Sequence, residues 1–246
     1  LTEYTVFPNA PIVEAILDIR ADLPKSVRLD DLAVFHEHVR NRFPDKKVRK
    51  FFKGGIEVGP EKSSFASQSG TDGFLFESPK EKKIVQARLD GFTFNKLKPY
   101  ENWALFRDEA HELWDLYCEV TNLKKVTRIA LRYINRIEVP LPMDDFKEYL
   151  FTTPEVAPKL PQGLAHFLFR LVIPNDEIGA TAAIVETMEK ATPDNKLPLI
   201  LDIDVWQLKA YEDQLQEMWE EFEKLRIFKN DIFFNSTTEK AKELFK

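Results

Sequence analysis

Residues 126–139 read VTRIALRYINRIEV and lie near the middle of the 246-residue chain. Successive side chains of a strand point to opposite faces, so the stretch is read with period two. One face carries Thr127, Ile129, Leu131, Tyr133, Asn135, Ile137 and Val139. It is mostly apolar and is expected to lie on a core. The other carries Val126, Arg128, Ala130, Arg132, Ile134, Arg136 and Glu138. That face is a comb of three arginines, neighbouring teeth about 13 Å apart along the strand. The richness in Ile, Val and Tyr and the stop at Pro140-Leu141-Pro142 select strand over helix. Such a length predicts a central, strongly twisted strand with a bulge.

Upstream, residues 2–11 contain Pro8 and Pro11 and read as an extended lead-in. Residues 12–22 are a first strand, with Val13, Ala15, Leu17 and Ile19 on one face and Glu14, Ile16, Asp18, Arg20 and Asp22 on the other. Leu32, Phe35, Val39 and Phe43 fall at helical spacing over residues 29–43, with Asp30 and Asp31 suiting the helix dipole at its start and Pro44 closing it. Residues 46–58 read as a basic strand broken by Gly54-Gly55, and residues 60–73 as a polar, mobile loop. Residues 74–77 and 84–89 are two strands. Asp90-Gly91 signals a tight turn into a third at residues 92–97. A helix follows from Tyr100 to about Val120, with Trp103, Phe106, Ala110, Leu113, Trp114 and Tyr117 as its apolar stripe.

Downstream, residues 144–151 read as a short helix and 152–163 as a proline-rich connection. Residues 165–173 and 180–189 form a hairpin, and 199–206 a strand. A second long helix over 211–226 carries Tyr211, Leu215, Met218, Trp219, Phe222 and Leu225 on one stripe. Residues 232–234 are a short apolar piece. Ser236 with Glu239 is a capping-box signature for a terminal helix that buries Leu244 and Phe245.

The order of elements repeats, and short echoes accompany it. Leu97-Lys98-Pro99-Tyr100-Glu101-Asn102 matches Leu208-Lys209-Ala210-Tyr211-Glu212-Asp213, and Leu113-Trp114 matches Met218-Trp219. The expected fold class is α+β. Its two pseudo-duplicated β-α-β(3-4)-α halves, residues 1–124 and 125–246, carry antiparallel sheets each packed against a long helix, in one body.

Composition bounds the function. With 43% hydrophobic residues and 20 Phe there is enough for a substantial core. A net charge of -6 weighs against nonspecific binding to nucleic acid or an anionic membrane. Cys118 is the only cysteine, which excludes an intrachain disulfide and a cysteine-rich metal site and suits a reducing cytoplasm. No apolar run approaches the roughly 18 residues that cross a bilayer, so no membrane partner is expected. The first residue is Leu1 rather than Met, so an upstream segment is not legible here.

Several stretches together resemble a known family. They are Ala10-Pro11-Ile12-Val13-Glu14-Ala15, Pro99-Tyr100-Glu101-Asn102-Trp103, Arg128 to Ile137, Asp202-Ile203-Asp204 and Phe233-Phe234-Asn235-Ser236-Thr237. The chain looks like a sporadically distributed prokaryotic family whose hallmark is the arginine strand and which has no assigned reaction or ligand. The resemblance spans nearly the whole chain. It implies a patchily inherited accessory protein, linked by association to mobile-element or defence loci, and no catalytic residue carries over.

The arginine comb has a structural and a functional reading. Arg128, Arg132 and Arg136 can pair with acids on neighbouring strands, where Asp202 and Asp204 share one face and Glu14, Asp18 and Asp22 another; such pairs stabilise a sheet by roughly 0.2–1 kcal/mol each. Alternatively their guanidinium forks bind phosphates or carboxylates. Asp202 and Asp204 also suit a hard cation, but no third ligand lies near in sequence, and a polar sheet face explains them more simply. His36 and His38 diverge on their helix, and His111 and His166 stand alone, so no zinc pair forms. Cys118 reads as a small buried hydrophobe. Lys46 to Lys53, KKVRKFFK, has the charge and aromatics of a single-strand binder, but lysines also protect a sheet edge from unwanted pairing.

The reading is a non-catalytic accessory protein of the cytoplasm, with no cofactor, that binds a protein partner or itself as a homodimer. The alternative is nucleic-acid or phosphate-ligand binding through the Arg128, Arg132 and Arg136 face with Asp202 and Asp204. An enzyme acting on a phosphorylated small molecule would need unpaired guanidinium groups in a cleft there.

Overall fold

The computed structural model describes residues 4–58, 63–212 and 215–246. Among these residues the chain runs β1 (Ile12–Asp22), α1 (Leu29–Val39), β2 (Asp45–Val58), β3 (Ser63–Ser78), β4 (Lys83–Arg88), β5 (Gly91–Leu97) and α2 (Trp103–Thr121). It continues with β6 (Lys125–Pro140), β7 (Leu168–Asn175), β8 (Ala180–Met188), β9 (Lys196–Gln207), α3 (Leu215–Ser236) and α4 (Glu239–Glu243). The fold is α+β: nine strands form one antiparallel sheet, in the order β2-β3-β4-β5-β1-β6-β9-β8-β7. Of the two arrangements open to the expected sheets, packed or joined edge to edge, the strands are joined in one continuous sheet.

The seam of this sheet is β1 against β6. Ala15 faces Tyr133, Leu17 faces Leu131 and Ile19 faces Ile129, all of them fully or almost fully buried. The register shifts twice. Val13 is the extra residue of β1 between Ile12 and Glu14, and Thr127 that of β6 where Arg20 and Ala21 face Arg128 and Val126. The predicted bulge is therefore present, and it corrects one assignment. Val126 is buried on the core face rather than beside the arginines, because an extra residue flips the two-residue parity of whatever follows.

The helices pack on the buried face. Leu32, Phe35, Val39 and Phe43 are all buried, and Phe35 meets Phe76 of β3. In α2, Phe106 stacks on Phe94 and Trp114 meets Phe92. Asn102 caps α2, accepting the Leu105 N–H at 2.9 Å, and Asn122 ends it in a left-handed turn. Met218, Phe222 and Leu225 of α3 are buried over β6 and β9.

Several boundaries differ from expectation. β2 runs unbroken past Gly54-Gly55 and pairs with β3 from Ser63, so most of the expected polar loop is strand; residues 59–62 lie outside the described ones. β4 reaches β3 only from Gly73 onward, so the remainder of the hairpin is a two-stranded ribbon with no need of an apolar alternation. Tyr211 lies outside α3 and bridges Val126 by two backbone hydrogen bonds, 2.9 and 3.0 Å. α3 absorbs residues 232–234 and Ser236, and Thr238 rather than Ser236 caps the terminal helix, accepting the Ala241 N–H at 3.2 Å. The expected helix over 144–151 is one 3-10 turn, Phe146–Glu148.

The Asp90-Gly91 turn sets β5 against β1. Gly91 has φ 144°, and a Cβ there would stand 2.1 Å from the Ile19 carbonyl oxygen. Gly91→Ala is therefore expected to force β5 away from β1 and cost about 3 kcal/mol or more. Urea unfolding of the variant would measure this, and a loss below about 1 kcal/mol would show that the seam tolerates the added methyl.

Candidate functional site

The two faces of β6 lead to two arrangements. On the first, the side chains of the arginine face meet one another across the strands. Asp18 of β1 is the hub: it accepts from Arg88 Nη2 at 2.8 Å, from Thr93 Oγ1 at 2.8 Å, from Arg128 Nη1 at 2.9 Å and from Arg20 Nε at 3.3 Å. Arg88 is almost fully buried and also reaches Asp90 at 3.0 Å. Gly73 and Gly91 are its register partners on β3 and β5, and its guanidinium also donates to the Thr93 hydroxyl of β5. The network continues through Asn95, which donates to Glu14 at 2.7 Å, and Arg49, which donates to Gln86 at 3.1 Å and to Asp72.

All three arginines of the comb have acidic partners. Arg128 adds Asp204 at 3.8 Å to its bond with Asp18, Arg132 holds Asp202 through two bonds of 2.8 and 2.5 Å, and Arg136 holds Glu189 at 3.0 Å together with Glu138. Burial opposes ionisation of Asp18, yet the Arg88 and Arg20 guanidinium groups hold its carboxyl below the usual range. Burial wins at Asp204, whose carboxyl is pushed up despite Arg128 and Arg132. The structure thus brings Arg128, Arg132, Arg136, Asp202 and Asp204 onto one face, as a cross-strand ladder of pairs.

The opposite face of β6 leads to a cavity of about 380 Å³ between the N-terminal segment, the start of α2 and the middle of α3. Tyr133 and Asn135, two residues after Leu131 and four after it on the same face, form its floor. Phe7, Trp103, Phe233 and Phe234 supply aromatic wall. The Tyr100 and Tyr133 hydroxyls hydrogen-bond at 2.9 Å, and Asn135 donates to the Leu201 carbonyl at 3.0 Å. Lys229 of α3 lies in this cavity with its ammonium 3.9 Å over the Tyr133 ring. Pro11, Tyr100, Tyr133 and Phe233, from four separate stretches of the chain, are among its lining residues.

Sequence reasoning missed this cavity, although a signal existed. Lys229 sits four residues after Leu225 and seven after Phe222, on the buried stripe of α3. A cation at such a position is a departure from the pattern. Glu186 is a similar departure on the core face of β8: it is 1% exposed, and neither carboxylate oxygen has a hydrogen-bond partner among the described residues. Burial pushes its carboxyl up to about 7.

The remaining candidates disperse. His36 bonds the Phe43 carbonyl at 2.9 Å and stacks on Phe76, His111 packs on Trp219, and His166 lies 3.3 Å from the Thr187 hydroxyl. Cys118 is half-buried rather than enclosed, and burial pushes its thiol up to about 12. Lys47 pairs with Glu77 at 2.6 Å and Lys46 lies over the Phe74 ring. Among the described residues no group of three or more His, Cys, Asp or Glu is placed to hold a metal ion, and no helix is long and apolar enough to cross a membrane. No protein-family model matches the chain, and no curated protein matches it either.

Two stability measurements separate these charges. Asp18→Ala leaves the buried Arg88 to the more exposed Asp90 and is expected to cost about 3–5 kcal/mol, whereas Arg132→Met, at a half-exposed pair, should cost less than about 1 kcal/mol. Equal losses in urea melts would contradict the hub role of Asp18. For Glu186 the folded state favours the protonated form, so its cost is absent below the ordinary carboxylate value of 4.5 and grows as pH rises to about 7. Glu186→Gln should therefore gain about 1–3 kcal/mol over the parent at pH 8 and little at pH 4. A gain that does not change with pH would mean the carboxyl is solvated.

Proposed function

We propose that the protein is an interaction module without catalytic activity of its own, and that its partner is a second copy of this chain docked along β7. The observation that carries this reading is the contrast between the two edges of the sheet. β2, at one edge, bears Lys46, Lys47, Arg49 and Lys50, the charges that keep an edge from pairing. β7, at the other, reads LFRLVIPN and has Arg170 as its only charge. Leu168 and Val172 on one face and Leu171 and Ile173 on the other are 39–64% exposed.

An edge with apolar side chains on both faces and free backbone groups favours strand addition. A second copy fits because two β7 strands running antiparallel about a twofold axis are self-complementary. With the axis away from Arg170, each Arg170 lies opposite an uncharged residue of the partner strand. Pairing would extend both sheet faces at once, covering Leu168 and Val172 as well as Leu171 and Ile173. The lone Cys118 suits a cytoplasmic site of action.

The same reading takes residues 1–124 and 125–246 as duplicated halves. In each, the first strand pairs with the last strand of a meander that leads inward from the sheet edge, β1 with β5 and β6 with β9, and a long helix follows that meander. Phosphate or nucleic-acid binding through Arg128, Arg132 and Arg136 has less support, since ligand oxygens would have to displace carboxylates already paired there.

Light scattering on the purified chain is the test. At tens of micromolar the expected mass is twice the 28.7 kDa of one chain. Replacing Leu171 and Val172 by Lys should return it to 28.7 kDa with unchanged circular dichroism. A monomeric parent, or a dimer indifferent to both lysines, overturns the proposal.

A further inference from the structure

We propose that the cavity over Tyr133 and Asn135 is a binding site for a small organic monocarboxylate with a flat apolar body, its carboxylate paired with Lys229. Lys229 is 8% exposed and makes no ion pair among the described residues; its one close partner is the Tyr133 ring. Acids lie near it on α3 but are engaged elsewhere. Glu223 takes Trp103 Nε1, Arg107 at 3.0 Å and Arg226 at 2.8 Å, and Asp231 takes the Tyr4 hydroxyl at 2.6 Å. Glu101, which also lines the cavity, pairs with Lys96 at 3.2 Å. A buried ammonium without a counter-charge is costly, and the fold leaves an accessible space beside it.

The charge and shape of the site select the ligand class. Arg226 is paired with Glu223, so among the described residues Lys229 is the one cation lining the cavity with no acid partner, which matches a monoanion. A phosphate dianion would bring a second charge with no partner there. Aromatic side chains make up much of the wall and suit a planar apolar body, while Asn230 and the Tyr100 hydroxyl offer polar contacts that fix its orientation. The volume, about 380 Å³, is that of a small-molecule site.

Protonation supports the assignment. Burial, with Arg226 nearby, pushes the Lys229 ammonium down to about 7. The other titratable groups lining the cavity are Arg226, Glu101 and the hydroxyls of Tyr4, Tyr100 and Tyr133. Burial raises all three hydroxyls, so they stay protonated near neutral pH. A bound carboxylate favours the charged lysine, so binding above neutrality should draw a proton from solvent.

The experiment is calorimetric titration of the full chain at pH 8 with phenylacetate, indole-3-acetate, the uncharged phenylacetamide and inorganic phosphate, in two buffers of different ionisation heat. At least one carboxylate should bind about tenfold or more tighter than the amide and than phosphate, taking up close to one proton per site. Lys229→Met and Lys229→Gln should each lose about tenfold or more in that affinity, with melting temperatures no lower than the parent's, because each removes a buried amine that makes no ion pair among the described residues. The assignment is overturned if neither carboxylate outbinds the amide, if phosphate binds as well as they do, or if the variants keep the affinity. It is overturned too if both variants melt well below the parent, since Lys229 would then serve the fold.

Discussion

The antiparallel pairing of β1 with β6 is the constraint to which the rest of the molecule answers. It joins a five-strand run to a four-strand run, and it carries opposite chemistry on its two faces. On one, Leu17 and Leu131 lie opposite each other under the helices; on the other, Asp18 faces Ala130 and reaches Arg128 and Arg88. A slip of one residue would turn guanidinium groups into the core and leucines into the polar ladder. Both faces therefore demand the same register, and the two bulges fall near the ends of the pairing, where the demand lapses.

Where that double demand operates, the sequence was legible. The faces of β6, the stripes of α1 and α2 and the Asp90-Gly91 turn all follow from side-chain periodicity and turn chemistry. Legibility failed where the backbone alone decides. The β2–β3 ribbon extends beyond β4, and its Ser- and Gly-rich strand lacks an apolar alternation and reads as loop. Tyr211 fits the α3 stripe by spacing but is claimed by backbone pairing with Val126, a contact no local pattern announces. Ser236 satisfies the capping signature, yet the helix before it runs on and moves the cap to Thr238.

The candidate sites divide in the same way. The acids for Arg132 and Arg128 were readable as Asp202 and Asp204 on alternate positions of one strand. That Asp18 should also anchor Arg88, 70 residues away, follows only from the strand order β4-β5-β1. The cavity needed a different kind of attention. Tyr133 and Asn135 are the polar members of an otherwise apolar face, and Lys229 is the cation of an apolar stripe. Each alone reads as an exception to tolerate; the fold brings the three to one place.

The two sides of the sheet differ in how their charges are settled, and this bears on where activity resides. On the arginine side the guanidinium groups of the ladder already meet carboxylates. On the helix side two ionisable groups, Glu186 and Lys229, are buried without a counter-charge among the described residues. Glu186 lowers its cost by holding a proton to about pH 7. Lys229 lines a cavity with aromatic walls and retains a proton to give or gain at neutral pH. A group that costs stability where an apolar residue would fit is better explained by what enters the space beside it than by the fold it burdens. That weighs for the helix side of β6, rather than its arginine side, as the face that meets a ligand.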